Sequence, residues 1–266
     1  MGHSVKLTKN LTTKQLAFYK TLDEQDTQFF SLGQVEEQYA PQYGNMNEVV
    51  ENLVHKGLLD RVERGKFVRT NFYDELAMIR LLVPDGALAY WSALNRHGLT
   101  EQFPNVIFVQ TTKLKESKLY RGVPYQFIKV LPRKMTGIEQ SGYGDHTFWI
   151  TSVEKTILDC LDLPEYSGGF PVVVKAIARA KLHGSMLIEY SQAIGSQSAM
   201  KRLAFILESL GKKGVASFLK YAAKNLNASY SLLDALGPND GRFDSNWKLR
   251  LKVTAEEISA LSKTEY

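Results

Sequence analysis

The sequence predicts a mixed α and β protein, with a helical N-terminal region that ends in a short hairpin and a larger mixed region behind it. Three observations support this fold class. Apolar residues recur at helical spacing before residue 57, an alternating hairpin pattern follows directly, and apolar strand and helix patterns then succeed one another to residue 253. A chain of 266 residues is long enough for two domains, each with a buried core.

Three helices are predicted at the N-terminal end. The first is opened by Thr12 or Thr13, residues that cap helices well, and the second spans Gly33–Tyr39. The third spans Asn45–Lys56, with its apolar residues on one face and polar residues on the other. The proline within Ala40–Gly44 predicts a break between the second helix and the third.

A short hairpin follows the third helix. Gly57 can adopt the left-handed conformation that ends a helix, and Leu58–Val62 and Lys66–Arg69 then alternate between apolar and polar residues. Gly65 supplies the positive φ that a tight turn needs. Helix, turn, helix and hairpin in this order predict a winged helix-turn-helix domain over residues 1–71.

The most common use of such a domain is DNA binding, in which the later helix enters the major groove. Protein docking is the alternative, and the asparagines of the third helix could equally cap and solubilise it. Cations at the hairpin would hold phosphates, while amide side chains would read base edges. The predicted DNA-binding residues are Asn45, Asn47, Asn52, Arg61, Arg64, Lys66 and Arg69.

The charge balance weakens this domain as a solitary binder. Residues 1–70 contain six Lys and three Arg against three Asp and six Glu, so the chain's net charge of +5 lies entirely downstream. A cluster there could extend the DNA footprint, bind RNA or an acidic partner, or simply be a solvated face. Its members are Lys113, Lys115, Lys118, Arg121, Lys129, Arg133 and Lys134.

The remainder of the chain divides into a connecting helix over residues 72–83 and a mixed α/β domain over residues 84–266. Pro84 and Gly86 end the connecting helix. Strands are predicted at residues 106–109, 125–130, 147–150 and 247–253. Helices are predicted at residues 87–95, 152–161, 172–182, 200–210 and 215–223.

Several classes of protein are disfavoured. No apolar run approaches the roughly twenty residues of a membrane span, and no hydrophobic signal region opens the chain, so we expect a cytoplasmic protein without membrane contact. Cys160 stands alone within an apolar row, which predicts a buried structural thiol. The five His are scattered singly, so we expect no metal site and no cofactor.

An enzyme is the least favoured reading. Asp85 followed by Glu116 and Lys118 resembles the metal site of PD-(D/E)xK nucleases, but Asp85 stands at a predicted helix stop and Glu116 in a polar loop. Glu154, Asp159 and Asp162 lie on one predicted helix, at spacings of five and three residues that do not share one face. Capping and surface roles are expected for these three carboxylates, and no catalytic residue is assigned.

Four ordered segments resemble AbiEi-type antitoxins. They are Gly86–Gln102 (GALAYWSALNRHGLTEQ), Ser152–Gly169 (SVEKTILDCLDLPEYSGG), Arg202–Glu208 with Gly211, and Asn246–Leu249. Ser152 and Val153 stand where the family often has proline, and Lys155 replaces its usual arginine. The resemblance extends over most of the chain from Gly86 to Val253, with the four segments in the order that the family has them.

This resemblance implies an antitoxin of a type IV toxin-antitoxin system, of the kind linked to abortive infection and phage defence. In such systems the winged helix represses transcription from operator DNA upstream of its own operon. The C-terminal domain counteracts a nucleotidyltransferase-like toxin without forming a stable complex, and the family implies no catalytic residues. The alternative is a winged-helix regulator whose C-terminal domain senses a ligand or another partner.

Overall fold

The computed structural model describes residues 11–263, which form two compact units. The first unit comprises residues 11–84 and 142–148, and the second comprises residues 85–141 and 149–263. Residues 1–10 and 264–266, at the outer ends of the first and last predicted domains, lie outside the described range. Helices and strands occur in both units, so the predicted mixed α and β class is confirmed.

The first unit packs three helices against a small antiparallel sheet. In the sheet, β3 lies between β1 and β2, with Phe30 opposite Phe67 and Arg61 also opposite Phe67. The core brings Phe18 against Phe30 at a ring-centroid distance of 6.1 Å. The elements are α1 (Thr13–Glu24), β1 (Phe29–Ser31), α2 (Leu32–Tyr43), α3 (Met46–His55), β2 (Leu59–Glu63), β3 (Lys66–Arg69) and α4 (Met78–Leu82).

Helix α2 is longer than the sequence predicted. The expected break over Ala40–Gly44 is wrong, because α2 continues through Pro41 and ends only at Gly44, where φ is 78°. Tyr39 and Tyr43 are buried, and both rings lie 5.7 Å from that of Phe18. We infer that burying these two aromatic side chains offsets the backbone hydrogen bond that proline cannot donate.

The predicted connecting helix is shorter than expected. Only α4 is helical within residues 72–83, because the Asp74 carboxylate accepts hydrogen bonds from the backbone N–H groups of Leu76 at 3.0 Å and Ala77 at 2.9 Å. Such a side-chain bond stabilises a turn in place of a helix. Asp74 also pairs with His146 at 2.5 Å, which ties the segment 142–148 into the first unit.

The second unit contains a six-stranded mixed sheet, a three-stranded sheet and seven helices within the described residues. The larger sheet has the order β6-β7-β5-β4-β9-β8 and the smaller one β10-β12-β11. The strands are β4 (Ala87–Leu88), β5 (Ile107–Thr111), β6 (Lys118–Tyr120), β7 (Val123–Lys129), β8 (Ile138–Ser141), β9 (Phe148–Thr151), β10 (Ser231–Leu232), β11 (Arg242–Asp244) and β12 (Leu249–Leu251). The helices are α5 (Tyr90–Arg96), α6 (Val153–Asp162), α7 (Phe170–Arg179), α8 (Gly184–Ile194), α9 (Gln197–Ser209), α10 (Ala216–Lys224) and α11 (Ala255–Lys263).

Helix α6 lies at the centre of the second unit and contacts α5, α7, α8 and α9. It buries an ion pair one turn apart, between the Lys155 Nζ and an Asp159 carboxylate oxygen at 2.5 Å, with side-chain exposures of 0% and 2%. The same Nζ donates to Gln110 Oε1 at 3.3 Å, and Gln110 Nε2 donates to the Tyr90 hydroxyl at 3.1 Å. Burial raises the pKa of the Asp159 carboxyl, and the Lys155 ammonium opposes that rise.

The two other carboxylates of α6 are also paired, each with a different partner. Glu154 is buried and accepts hydrogen bonds at 2.9 Å from both the backbone N–H and the Nδ1 of His183. Asp162 pairs with Lys134 Nζ at 2.5 Å. The expectation of capping and surface roles for Glu154, Asp159 and Asp162 is therefore wrong, because all three side chains take part in the packing of the second unit.

No helix within residues 11–263 combines the length and the apolar character needed to cross a bilayer.

We expect Asp159→Ala to lower the free energy of unfolding of the second unit by about 3–5 kcal/mol, because it leaves the buried Lys155 ammonium without its partner. Urea unfolding followed by tryptophan fluorescence measures this change. Trp91, Trp149 and Trp247 all lie in the second unit, so the signal reports that unit.

The matched control removes both charges together. Lys155→Met combined with Asp159→Leu leaves no buried charge unpaired, so its loss of unfolding free energy should be smaller than that of the single variant. If Asp159→Ala stayed within about 1 kcal/mol of the parent chain, the pair would not have the structural importance argued above.

Candidate nucleic-acid interface

The orientation of α3 is fixed by its apolar face. Its first turn begins where the Asn45 side chain accepts a hydrogen bond from the Glu48 N–H at 3.2 Å. The buried residues Met46, Val49, Val50 and Leu53 then hold one side of the helix against the core. Because the helix cannot rotate about its axis without exposing these side chains, its opposite face presents Asn47, Glu48 and His55 to solvent.

The three asparagines predicted to read bases differ in what they can offer. Asn45 already uses its side-chain oxygen as the helix cap, and Asn52 Nδ2 donates to the Glu48 carbonyl oxygen at 2.9 Å. Asn47 is exposed, and its side chain makes no hydrogen bond to residues 11–263. It therefore keeps a donor and an acceptor for an external partner, which is the pair that an adenine edge requires.

The hairpin tip presents one exposed cation in its turn. Arg64 and Gly65 are the two turn residues, with φ of 71° at Gly65. The Arg64 guanidinium is exposed, with no ion pair or hydrogen bond to any described residue. Arg61 is also exposed, but it pairs with Glu51 of α3 and lies 5.7 Å from the centroid of the Phe67 ring.

Lys66 is half-buried and already has two partners. Its Nζ donates to the Leu82 carbonyl oxygen at 2.8 Å and pairs with Glu63 at 3.2 Å. The hydrogen bond to Leu82 fastens β3 to α4, and the pair with Glu63 joins the two hairpin strands. A phosphate contact by Lys66 would have to displace both partners, so Arg64 is the better placed cation.

The expected phosphate contact by Arg69 is corrected, since this side chain lies inside the first unit with 7% exposure. Its guanidinium pairs with Asp23, donates to the Tyr19 hydroxyl at 3.0 Å and lies 4.8 Å from the centroid of that ring. Burial alone would lower the pKa of Arg69, but the hydrogen bonds to Tyr19 and Asp23 outweigh it and raise the pKa. The residue joins β3 to α1.

The seven cations of the downstream cluster differ in their exposure and in their side-chain contacts. Lys113 and Lys129 are exposed, and their side chains form no hydrogen bond or ion pair with a described residue. Lys115 lies 5.3 Å from the centroid of Phe127, and Arg121 lies 5.4 Å from that of Tyr120. Lys118 is half-buried on β6, within a segment that was expected to be a loop.

Two further members of that cluster have structural partners. Arg133 donates to the Ala193 carbonyl oxygen at 2.5 Å, and Lys134 pairs with Asp162. Lys134 is therefore not available as a phosphate contact. The cluster offers an exposed basic surface mainly through the side chains that lie on the β6–β7 hairpin and beside it.

Other basic residues of the second unit also differ in their exposure. Lys201 and Arg202, which stand together in the sequence, are buried, and burial lowers the pKa of each. Arg202 donates to the carbonyl oxygens of Leu161 and Leu232 at 2.7 and 2.8 Å, which explains why a charged side chain can lie there. Basic residues also line an open surface pocket at 179–183 and 211–214, but Arg179 pairs with Glu101, and Lys212 Nζ donates to the Ala178 and Ala180 carbonyl oxygens at 2.9 and 2.7 Å.

The carboxylate of Asp85, considered above as a nuclease ligand, is held by neighbouring threonines. It accepts hydrogen bonds from Thr111 Oγ1 at 2.9 Å and from the N–H and Oγ1 of Thr112 at 3.0 and 2.6 Å. Burial by itself raises the pKa of Asp85, and these hydrogen bonds lower it further than burial raises it. Glu116 is exposed in the loop before β6.

Cys160 is buried on α6, as its apolar surroundings predicted. Burial raises its pKa well above that of a free thiol, and the Asp159 carboxylate raises it further. A thiol of this kind is a poor nucleophile at neutral pH. Its contribution is to the packing of the second unit.

Comparison with known proteins bears on the fold. The crystal structure of the RV2827C protein from Mycobacterium tuberculosis is similar to this chain, with a TM-score of 0.61, 14% sequence identity, and coverage of 91% of this chain and 92% of that one. No family model and no curated protein matches the chain. At this level of identity the similarity establishes a shared fold and leaves the function to be argued from residues.

We expect Arg69 and Arg64, two arginines of the hairpin, to differ in how much they stabilise the first unit. Arg69→Ala is expected to destabilise the first unit by about 1–3 kcal/mol, because it removes the hydrogen bonds to Tyr19 and Asp23, and Asp23 is half-exposed. Hydrogen exchange of peptides from α1 in the full-length chain measures this, since the tryptophans lie in the other unit.

Arg64→Ala is the matched control, because it removes the same side chain from an exposed turn. We expect its exchange rates to match those of the parent within about 0.5 kcal/mol. Equal protection of α1 in the two variants would show that Arg69 does not hold β3 to α1.

Proposed function

We propose that this chain is a sequence-specific DNA-binding repressor whose first unit is a winged helix-turn-helix domain. The order α1, β1, α2, α3, β2, β3 supports this assignment, together with the sheet order β1-β3-β2. The observation that carries the proposal is Asn47, which lies exposed and without a side-chain partner among the described residues, on a helix whose opposite face is anchored in the core.

In this proposal α3 enters the major groove and the hairpin tip lies against the flanking phosphate backbone. Asn47 then forms two hydrogen bonds to one base edge, and Arg64 neutralises a phosphate without reading sequence. The Arg61–Glu51 ion pair links the hairpin to α3, which favours docking of both as one surface. Glu48 and Glu51 on the outer face disfavour close approach to phosphates and so restrict the allowed docking orientations.

The resemblance to AbiEi-type antitoxins extends the proposal. We propose that the repressor acts in the cytoplasm on operator DNA upstream of its own operon. Its second unit, without catalytic residues, counteracts a nucleotidyltransferase-like toxin that does not form a stable complex with it. The four ordered segments, three of which include parts of α5, α6 and α9, support this assignment. A regulator whose second unit senses another ligand or partner is the alternative.

The base-reading role is tested with a site selected by the full-length chain from a library of random 20-base-pair duplexes. We expect Asn47→Ala to reduce the ratio of affinities for the selected and scrambled duplexes roughly tenfold, because a bidentate base contact is lost. Arg64→Gln should weaken both duplexes by a similar factor and reduce the slope of log affinity against log salt by about 1. Fluorescence anisotropy measures both quantities.

Gln192→Ala is the control, since Gln192 is an exposed amide on α8 in the second unit. It should leave both affinities unchanged. If Asn47→Ala and Arg64→Gln altered the selected and scrambled duplexes in the same way, the division between base reading and phosphate contact would be refuted.

The antitoxin role is tested by co-expressing the full-length chain with a nucleotidyltransferase encoded beside it. We expect the parent chain to restore growth and Asn47→Ala to restore it equally well, because toxin neutralisation is assigned to the second unit. The same variant should fail to repress a reporter placed behind the selected site.

Absence of growth rescue by the parent chain would count against the antitoxin role and leave DNA binding standing. Loss of rescue in Asn47→Ala, at equal protein levels, would instead show that neutralisation depends on the DNA-binding surface. That result would contradict the assignment of the two activities to separate units.

A further inference from the structure

The small sheet β10-β12-β11 has one face in the core and one in solvent. Leu249 and Leu251 of β12 are 0% and 4% exposed, and Trp247 beside them donates its indole N–H to Glu208 at 2.6 Å. Side chains alternate along a strand, so Arg250, which lies between these two leucines, points outward. The sheet is therefore anchored on one side and presents the other as a surface.

Two aromatic rings lie on that outer face. Phe243 of β11 stands opposite Arg250 of β12, and Leu232 of β10 stands opposite Arg250 on the other side, with Tyr230 two residues before Leu232. The rings of Tyr230 and Phe243 are 5.0 Å apart between centroids at 81°, and they are 43% and 64% exposed. Large aromatic side chains left in solvent next to one another need a reason beyond core packing.

Each ring has a cation beside it. Lys248 Nζ lies 5.8 Å from the centroid of Tyr230, and the Arg250 guanidinium carbon lies 5.3 Å from that of Phe243. Asn239 accepts a hydrogen bond from Arg250 at 2.8 Å, which holds the guanidinium in place. We call the four residues Tyr230, Phe243, Lys248 and Arg250 the aromatic platform.

The carboxylate next to Asn239 in the sequence, that of Asp240, has a partner of its own. Lys252, which follows β12, pairs with Asp240 at 3.6 Å, with both side chains more than half exposed. The two platform cations therefore remain uncompensated by that carboxylate. Two exposed aromatic rings that meet edge to face, each with a cation next to it, fit a partner that has both π-faces and negative charge, which excludes an apolar or basic protein segment as the best occupant.

We propose that the aromatic platform binds single-stranded nucleic acid, with unpaired bases stacked on Tyr230 and Phe243 and phosphates held by Lys248 and Arg250. Stacking on exposed aromatic side chains of a small sheet, supported by cations along the backbone, is how many proteins bind single strands without reading sequence. In double-stranded DNA the base faces are stacked on one another, so they are not accessible to Tyr230 and Phe243. This activity is independent of the proposed operator binding by α3.

The test uses the full-length chain with fluorescein-labelled dT12, rU12 and a scrambled 20-base-pair duplex. Tyr230→Ala and Phe243→Ala should each weaken binding of the single strands fivefold or more, as expected for the loss of one stacked base, and leave the duplex unchanged. Tyr230→Phe and Phe243→Tyr keep an aromatic ring and should retain affinity within about twofold. The relative affinities of dT12 and rU12 indicate which kind of strand is preferred.

Phe103→Ala is the matched control, because Phe103 is an aromatic side chain of the same unit with 80% exposure. It should change neither affinity. Three results would overturn the proposal. The first is an equal loss of single-strand affinity in Phe103→Ala, and the second is unchanged affinity in both Tyr230→Ala and Phe243→Ala. The third is a parent chain that does not bind single strands. Tryptophan-monitored unfolding of each variant separates loss of binding from loss of the fold.

Photocrosslinking supplies a direct readout of contact. A dT12 strand with one 5-iodouracil should crosslink to the peptides that contain Tyr230 or Phe243 in the parent chain, and Asn47→Ala should leave these crosslinks intact. Crosslinks confined to residues 13–69 would place the single strand on the first unit and overturn the platform. The operator proposal would be untouched by that outcome, because its own test uses duplex DNA.

Discussion

The charges that α6 buries are the constraint on which the second unit depends. This helix contacts four others, and two of its carboxylates meet donors from other parts of the unit: Glu154 meets His183, and Asp162 meets Lys134. The third, Asp159, pairs with Lys155 one turn away on α6 itself. A buried ion pair adds little net stability compared with apolar packing, but removing one member is costly. We infer that the pairs restrict how the surrounding helices can be arranged, because each charge has one place where it is neutralised.

In the first unit the corresponding constraint is apolar. The buried face of α3 sets the rotation of that helix, and Leu59 and Phe67 pack the hairpin into the same apolar core. Arg69 then joins β3 to α1 from within. These contacts hold the outer face of α3 and the hairpin tip in place. Asn47 and Arg64, the side chains proposed to contact DNA, do not take part in them.

Much of this could be predicted from the sequence wherever a regular pattern extends over several turns. The apolar spacing of α3 and the alternation on either side of Arg64 and Gly65 are such patterns. Strand β1 has only three residues, too few to establish a period, and α8 begins at Gly184 without a side-chain cap.

The buried cations could not be predicted from the sequence, for a different reason. Lys201 and Arg69 belong to residue types that are usually exposed, and their partners Asn227 and Asp23 are remote in the sequence. Lys155 has its partner Asp159 one turn away, but the sequence does not reveal that this pair is buried. The same holds for the aromatic platform, because Tyr230 and Phe243 become neighbours only through strand register.

The separation of the two faces of α3 also has an evolutionary consequence. Substitutions at exposed positions such as Asn47 touch neither the core nor the helix cap, so they cost little folding stability. Related chains can therefore diverge in the DNA they recognise while retaining one scaffold. On α6 the opposite applies, because a charged position can change only together with its partner, and paired replacements are rarer events than single ones. The chain should thus acquire new binding preferences faster than it acquires a new core.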